Sequence, residues 1–281
     1  MDTTTANESL NPARAEPDHK LLGSSSADPK APLIICFHGS GESCEPAWSE
    51  LARLLSSRYR VLLFERGPQN PKPAEATSQL LQFLKARHLP GPYILIAHSY
   101  GGAFARLFMH QAPPADIAGA VLVETGQEGG LDPKIAAAQL KRKGGVLGEK
   151  PLSVIRGNSF IAKKKALEKA ISEQQTASAS ASATEQQKAA LAMQWQLLQA
   201  SDVEDERMKK AQLSMSRNSR YLYIPDCGHH VIRDRPEAVS GEVDWVMANV
   251  VVPPKATWWQ RWRTKLDNVW HSSPSSVHNA C

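Results

Sequence analysis

The sequence predicts an α/β fold in which a mostly parallel central sheet is flanked by helices. Nearly continuous apolar runs alternate along the chain with segments whose apolar residues recur at helical spacing. Strands of this composition are typical of parallel sheets that are buried on both faces. In addition, residues 92–106 have the pattern of a strand that turns sharply at one serine, Ser99, and continues as a helix.

The predicted strands and helices follow one another in a regular order. Apolar strands are predicted over residues 33–37, 60–65, 93–97, 117–123, 152–155 and 221–224. Helices are predicted over residues 48–56, 74–88, 101–111 and 236–250. Such alternation is produced by crossover connections between parallel neighbours, so we expect most strands of the sheet to be parallel.

Three regions depart from this alternation. Residues 1–30 are rich in Ser, Thr, Asp and Pro, and we expect them to be disordered. The α/β domain is predicted to span residues 31–252, with a polar helical cap or lid inserted at about residues 130–218, where Lys, Gln and Ala dominate. Residues 253–281 form a separate tail that is rich in tryptophan and basic residues.

Composition excludes several classes of protein. No apolar run is long enough to span a bilayer, and residues 1–30 lack the apolar core of a secretory signal. The four cysteines have neither metal-ligand spacing nor a dense disulfide framework: Cys36, Cys44, Cys227 and Cys281. The chain has no phosphate-binding loop. We therefore expect a cytoplasmic protein that uses no metal and no cofactor.

The formal net charge of +5 comes largely from basic clusters at residues 141–143 and 163–165 and from the tail. Such clusters attract nucleic acids or anionic membranes when a binding fold presents them. No nucleic-acid-binding motif accompanies them here, so we interpret the first two clusters as solvated surface and expect no nucleic-acid partner.

The residues around Ser99 have the pattern of a nucleophile elbow. Ala97 precedes the serine by two positions, and Gly101 and Gly102 follow it. Small residues are required there because the strand and the helix approach each other closely at the turn. Ala97 stands where the usual G-x-S-x-G pattern has its first glycine, so the motif departs from that pattern by one methyl group.

The order of the motifs resembles the α/β-hydrolase superfamily over about residues 32–250, and within it the cap-bearing branch with proline iminopeptidase-like and esterase-like members. The similarity rests on four stretches that occur in the family's order, at residues 38–41, 89–102, 121–124 and 228–237. The resemblance implies a serine hydrolase that cleaves a small-molecule ester or related acyl bond through a covalent acyl-enzyme. Serine at the elbow disfavours epoxide hydrolases and haloalkane dehalogenases, which use aspartate there.

The resemblance also implies a catalytic role for particular residues. Ser99 would be the nucleophile and His229 the base, with the adjacent His230 as a competing candidate for the base. The acid is expected at Glu124, directly after the strand that follows the elbow, because no carboxylate follows the strand at residues 152–155. Four other carboxylates stay open as the acid: Asp202, Glu204, Asp205 and Glu206.

An oxyanion hole would complete such a site. The family builds it from two backbone N–H groups, which here would belong to Tyr100 and to Ser40, with Gly41 as the alternative to Ser40. Two other functions stay open at this stage. Some proteins of this fold bind ligands without turnover or with very slow turnover, and others transfer the acyl group to an alcohol or amine.

Residues 255–270 of the tail interleave four tryptophans with basic residues. On a helix, Trp259, Trp262 and Leu266 would share one face. This pattern fits a helix that lies on a membrane surface, or one that docks on the protein body or on a partner. A peripheral membrane location therefore stays open beside the cytoplasmic one.

Overall fold

The computed structural model describes residues 19–23, 31–66, 71–126, 131–141, 145–177 and 185–250. Among these residues, seven strands form one sheet: β1 Lys20–Leu22, β2 Leu33–Phe37, β3 Val61–Phe64, β4 Tyr93–His98, β5 Ile117–Val123, β6 Leu152–Arg156 and β7 Ser219–Tyr223. The α-helices of the described residues are α1 Ser49–Ser56, α2 Pro73–Ala86, α3 Gly101–Gln111, α4 Pro133–Lys141, α5 Ile161–Ala177, α6 Glu185–Ala211, α7 Val231–Asp234 and α8 Pro236–Ala248. Short 3-10 helices cover Pro114–Asp116 and Gln212–Met215.

The strand order in the sheet is β1-β3-β2-β4-β5-β6-β7. Strands β2 to β7 pair in parallel, and β1 pairs with β3 in antiparallel orientation. The prediction of a mostly parallel sheet flanked by helices is therefore confirmed. β4 is the central strand of the seven and β2 is its neighbour, so the loops that follow these two strands lie near the middle of the sheet, at the carboxyl ends of the parallel strands.

Apolar side chains bury both faces of this sheet. Every residue of β2, β3, β4, β5 and β6 is buried. Successive side chains of a strand point to opposite faces, so Leu95 packs in the core that also contains residues of α2 and α3. Ile96 packs on the other face, in the core that contains residues of α1 and α8. The continuous apolar runs of the sequence thus reflect strands covered by helices on both sides.

The expectation of disorder over residues 1–30 is wrong for Lys20–Leu22. These three residues form β1, in register with residues 61–63 of β3. Backbone hydrogen bonds hold this strand at the edge of the sheet, and Leu21 is 50% exposed. An edge strand with so little apolar burial leaves almost no hydrophobic pattern in the sequence. Residues 1–18 and 24–30 lie outside the described residues.

The region predicted as a cap, about residues 130–218, contains both helices and a strand of the central sheet. Within it, β6 lies between β5 and β7 in that sheet, as the predicted strand at residues 152–155 implied. Two long helices, α5 and α6, are inserted between β6 and β7 and pack against each other. We call α5 and α6 the inserted helices; their role as a cap stays a prediction.

No helix among the described residues is long and apolar enough to cross a membrane. The tryptophan-rich tail, with its predicted amphipathic helix at residues 255–270, lies outside the described residues.

Candidate active site

Ser99 lies in the turn between β4, which ends at His98, and α3, which begins at Gly101. Its backbone φ is 51°, and its N–H donates a hydrogen bond to the carbonyl of Val123 at 3.0 Å. A serine with positive φ is uncommon and strained, and such strain concentrates at functional sites. A Cβ atom on Gly101 would lie 2.1 Å from the carbonyl oxygen of Phe37, so only glycine fits there. The close approach of helix and strand explains the small residues of this motif.

Glu124 occupies the equivalent position on the neighbouring strand. His98 and Val123 are paired in the register of β4 and β5, so Ser99 and Glu124 both directly follow that pair. Glu124 also has a positive φ, 53°, and its N–H donates to the carbonyl of Ile155 at 2.9 Å. Ser99 and Glu124 therefore lie side by side at the carboxyl ends of two neighbouring parallel strands.

The Glu124 carboxylate is fully buried and faces His229. Its Oε2 lies 3.1 Å from Nδ1 of His229. The Gly157 N–H donates to Oε1 at 2.7 Å, and the Ser159 hydroxyl donates to Oε2. Lys209 Nζ lies 3.6 Å from Oε1. Each carboxylate oxygen thus has at least one partner that favours the ionised form.

Burial alone would raise the pKa of Glu124. The hydrogen bond with His229, the charge of Lys209, and the hydrogen bonds from Ser159 and Gly157 outweigh the burial, and together they hold its pKa below the usual value. Glu124 is therefore ionised at neutral pH. An ionised carboxylate at Nδ1 favours the tautomer that carries the proton on Nδ1 and leaves Nε2 free to accept one.

No hydrogen bond joins Ser99 Oγ to His229 in the part of the chain that the structure describes. The ring of His98, the residue before the serine, lies 4.9 Å from the His229 ring, and its Nε2 is 2.9 Å from the His229 carbonyl oxygen. Hydrogen bonds of this kind are often long or absent without substrate and form in the complex. The structure thus brings His229 to Glu124 and to the elbow, but not into hydrogen-bond contact with Ser99.

His230, the competing base, faces a different carboxylate. Its Nδ1 lies 3.3 Å from Oε1 of Glu42, and Nδ1 of His98 lies 3.4 Å from the other oxygen of that carboxylate. The interaction with His98 is the main reason that the pKa of Glu42 falls to about 2. Glu42 was not singled out from the sequence, and only its position just after the motif at residues 38–41 could have indicated it.

The four alternative carboxylates lie away from His229. Asp202, Asp205 and Glu206 bind the guanidinium of Arg156 on β6. Glu204 is exposed and pairs with Arg207 one turn along α6. Of the carboxylates considered in the sequence, only Glu124 contacts His229.

Arg66 orients the loop that carries Ser40. Its guanidinium donates to the carbonyls of His38 and Gly39, both at 2.7 Å, and lies 4.1 Å from the centre of the Phe104 ring. In a trans peptide the N–H points opposite to the C=O, so the N–H of Ser40 points away from Arg66. Burial, together with the charge of Arg66, lowers the pKa of His38 to about 4, so His38 is neutral; its Nδ1 lies 3.0 Å from the guanidinium of Arg66. The oxyanion role of Ser40 and Tyr100 stays a prediction.

Among the described residues, no group of three or more His, Cys, Asp or Glu side chains is arranged to hold a metal ion. The described cysteines are free and buried, at positions 36, 44 and 227. Burial raises the pKa of the Cys227 thiol, so this group near the site is protonated at neutral pH.

Comparison with known proteins places the fold in a broad family. A family model described as "Alpha/beta hydrolase family" matches residues 34–242. The chain is similar to a solved thermophilic esterase from Thermogutta terrifontis at 13% sequence identity and a TM-score of 0.51, covering 83% of this chain and 93% of that one. It is also similar to an enol-lactonase from Burkholderia xenovorans LB400, at 14% identity and a TM-score of 0.47, over 82% and 95% of the two chains. The likeness to the esterase, at 13% identity, concerns the fold alone.

One curated relative shares higher identity over a shorter stretch. It is described as "Probable transporter efuK" from Hormonema carpetanum and is 34% identical over 111 residues. The match covers 36% of this chain and 16% of that much longer protein.

Proposed function

This chain belongs to the α/β hydrolase family, and from that premise we propose that it is a serine hydrolase that cleaves a carboxylic ester or a related acyl bond. The observation that carries the proposal is the contact of 3.1 Å between His229 Nδ1 and the buried, ionised carboxylate of Glu124. A buried carboxylate that orients a half-exposed histidine beside a strained serine turn is an arrangement for nucleophilic catalysis.

The proposed reaction begins at Ser99. His229 Nε2 takes the proton from the Ser99 hydroxyl while Oγ attacks the acyl carbon of the substrate. Glu124 stabilises the imidazolium that forms, and the N–H groups of Tyr100 and Ser40 donate to the oxygen that becomes negative. The imidazolium then gives its proton to the leaving alcohol, and the acyl group stays on Ser99.

Deacylation follows the same steps with water as the nucleophile. His229 takes a proton from a water molecule, the resulting hydroxide attacks the ester carbonyl of the acyl-enzyme, and the proton is returned to Ser99 Oγ. In this scheme the same imidazole acts first as base and then as acid in each half-reaction. If an alcohol or amine replaces water, the same residues perform acyl transfer.

A second function has one observation in its favour. Ser99 Oγ makes no hydrogen bond to His229 among the described residues, which also suits a protein of this fold that binds its ligand with very slow turnover or none. The two functions differ in whether the serine is activated, so a test of activation separates them.

We would test the proposal with a fluorophosphonate probe and intact-mass measurement. The purified chain is expected to gain one adduct, Ser99→Ala to gain none, and His229→Ala to react at least about 100-fold more slowly, because a general base contributes that much or more. His230→Ala is the matched control, since it removes the adjacent histidine that faces Glu42, and it should react like the unsubstituted chain.

Two results would contradict the proposal. An adduct of equal yield on Ser99→Ala would place the reactive group elsewhere. Absence of any adduct on the folded, unsubstituted chain would favour the ligand-binding function instead.

A further inference from the structure

A line of alternating charges connects Glu124 to the inserted helices. Lys209 lies 3.6 Å from Glu124 and donates a hydrogen bond to Asp205, four residues earlier on α6. Asp205 accepts a second hydrogen bond, at 3.1 Å, from Nε of Arg156 at the end of β6. Arg156 also binds Asp202, which in turn binds Lys164 of α5 at 2.6 Å.

The inner part of this line is shielded from water. The Glu124 side chain is 0% exposed, and the side chains of Lys209, Asp205 and Arg156 are 3–4% exposed. Fully buried lysines and carboxylates occur almost only when they are paired, because removing a charge from water costs several kcal/mol. Lys209 therefore depends on Glu124 and Asp205, and Glu124 has a positive charge fixed beside it.

We propose that Lys209 is a positioning residue for the Glu124–His229 pair, through which the placement of α6 on the sheet controls how readily that pair takes up a proton. The inference rests on the proposed serine hydrolase function. It goes beyond that function by giving α6 a part in the chemistry besides covering the site.

The direction of the effect follows from the sign of the charge. A cation close to the carboxylate stabilises ionised Glu124 and makes the addition of a proton to His229 less favourable. Loss of the cation would make protonation of His229 more favourable, so a smaller fraction of the imidazole would be free to accept the Ser99 proton at mildly acidic pH.

Other groups also face the pair, and the test has to leave them unchanged. On the other side of His229 lie the rings of His98 and His230, at 4.9 and 5.6 Å, with Glu42 in contact with both. Ser159 contacts Glu124 and His229, and the buried Cys227 thiol, whose pKa is raised mainly by burial, belongs to the same loop as His229. None of these groups is altered in the variants below.

The experiment follows the imidazole of His229 by NMR across pH 4 to 9 in the full chain, with its signal identified by its absence from His229→Ala. In Lys209→Met the midpoint of titration is expected to rise by about 0.5 to 1 pH unit, because a close opposite charge is lost from the carboxylate. In Asp205→Asn the midpoint is expected to fall, because removal of the Asp205 charge leaves the positive charge of Lys209 less neutralised. Lys210→Met is the matched control: it removes the same charge from an exposed lysine that pairs with Glu206, and the midpoint should stay within about 0.2 unit.

A merely structural role for Lys209 would not give shifts of opposite sign in the two variants. An unchanged midpoint in folded Lys209→Met, or shifts in the same direction in Lys209→Met and Asp205→Asn, would overturn the inference. If Lys209→Met does not fold, the inference is decided by two other variants. Asp205→Asn should still lower the midpoint, and Lys209→Arg, which keeps the charge, should titrate like the unsubstituted chain. The titration needs no turnover, so it is judged separately from the fluorophosphonate result.

Discussion

The central sheet and the inserted helices are stabilised by different interactions. Every residue of the five inner strands β2 to β6 is buried, and nearly all of them are apolar. In α5 and α6, by contrast, the buried side chains among those described are two charged ones, Asp205 and Lys209. Apolar residues of α6 such as Met193, Leu197 and Val203 are exposed.

This difference separates stability from positioning. Apolar burial has little directional preference and provides most of the free energy of folding, whereas ion pairs act over short distances and fix particular atoms. The sheet therefore gives the molecule its stability, and the ion pairs of α6 hold a few groups in place at the edge where Glu124 lies. Variants that are matched across the two regions test this division.

The largest loss of stability is expected from Leu95→Ala in β4. Leu95 is 0% exposed in the core on the α2–α3 face. Truncation leaves a cavity and removes apolar contacts, so we expect the free energy of unfolding to fall by about 2–5 kcal/mol. Urea unfolding measures this change, and a loss below about 1 kcal/mol would contradict the description of the sheet as the stabilising region.

An intermediate loss is expected from Arg156→Met. The substitution removes one of the two cations that pair with buried Asp205 and one of the two that pair with Asp202, so that Lys209 and Lys164 remain, while Met keeps much of the side-chain volume. We expect the free energy of unfolding to fall by about 2 kcal/mol. This is less than the loss for a completely buried ion pair, because Asp202 is 20% exposed.

Arg217→Met is the control for that variant, since it breaks an exposed pair with Glu149 and should cost about 0.5 kcal/mol or less. Urea unfolding measures the change in stability of each variant, and limited proteolysis of α5 and α6 measures how firmly these helices are held. If the free energy of unfolding falls equally in Arg156→Met and Arg217→Met, the buried ion pairs contribute no more to stability than an exposed pair.

The smallest effect is expected from Leu197→Ala in α6. The same chemical change as in β4 removes a side chain that is 59% exposed, so little apolar contact is lost, and alanine favours the helix. The free energy of unfolding should change by no more than about 0.5 kcal/mol. A loss comparable to that of Leu95→Ala would mean that this face of α6 is covered in solution, and sedimentation velocity would then show whether a second copy covers it.

The same difference decides how much of the fold could be predicted from the sequence. The inner strands are continuous apolar runs because both of their faces are buried, and the predicted strands at residues 33–37 and 117–123 coincide with β2 and β5. The two edge strands are only partly buried, so their hydrophobic pattern in the sequence is weaker. β1 was missed, and the part-buried β7 begins two residues before the predicted strand at residues 221–224.

The candidate site was predictable where a motif fixes the local backbone and unpredictable where distant side chains meet. Ser99 and Glu124 both follow β strands directly, so their positions could be derived from the order of strands and turns. The contacts of Arg156 with Asp202 and Asp205 join residues 46 and 49 positions apart, and no spacing rule indicates such pairs. For the same reason the carboxylates of α6 were considered as triad acids, and Lys209 was not singled out.

The three residues of β1 have a consequence for handling the protein. They occupy the backbone hydrogen-bonding groups along one side of β3 that would otherwise face solvent. An uncovered strand of this kind, made of Val61, Leu62, Leu63 and Phe64, is a template for pairing with strands of other molecules. A shortened version of the chain that begins after Gly23 would keep every residue of the candidate site, yet it would carry an open, apolar sheet edge prone to aggregation.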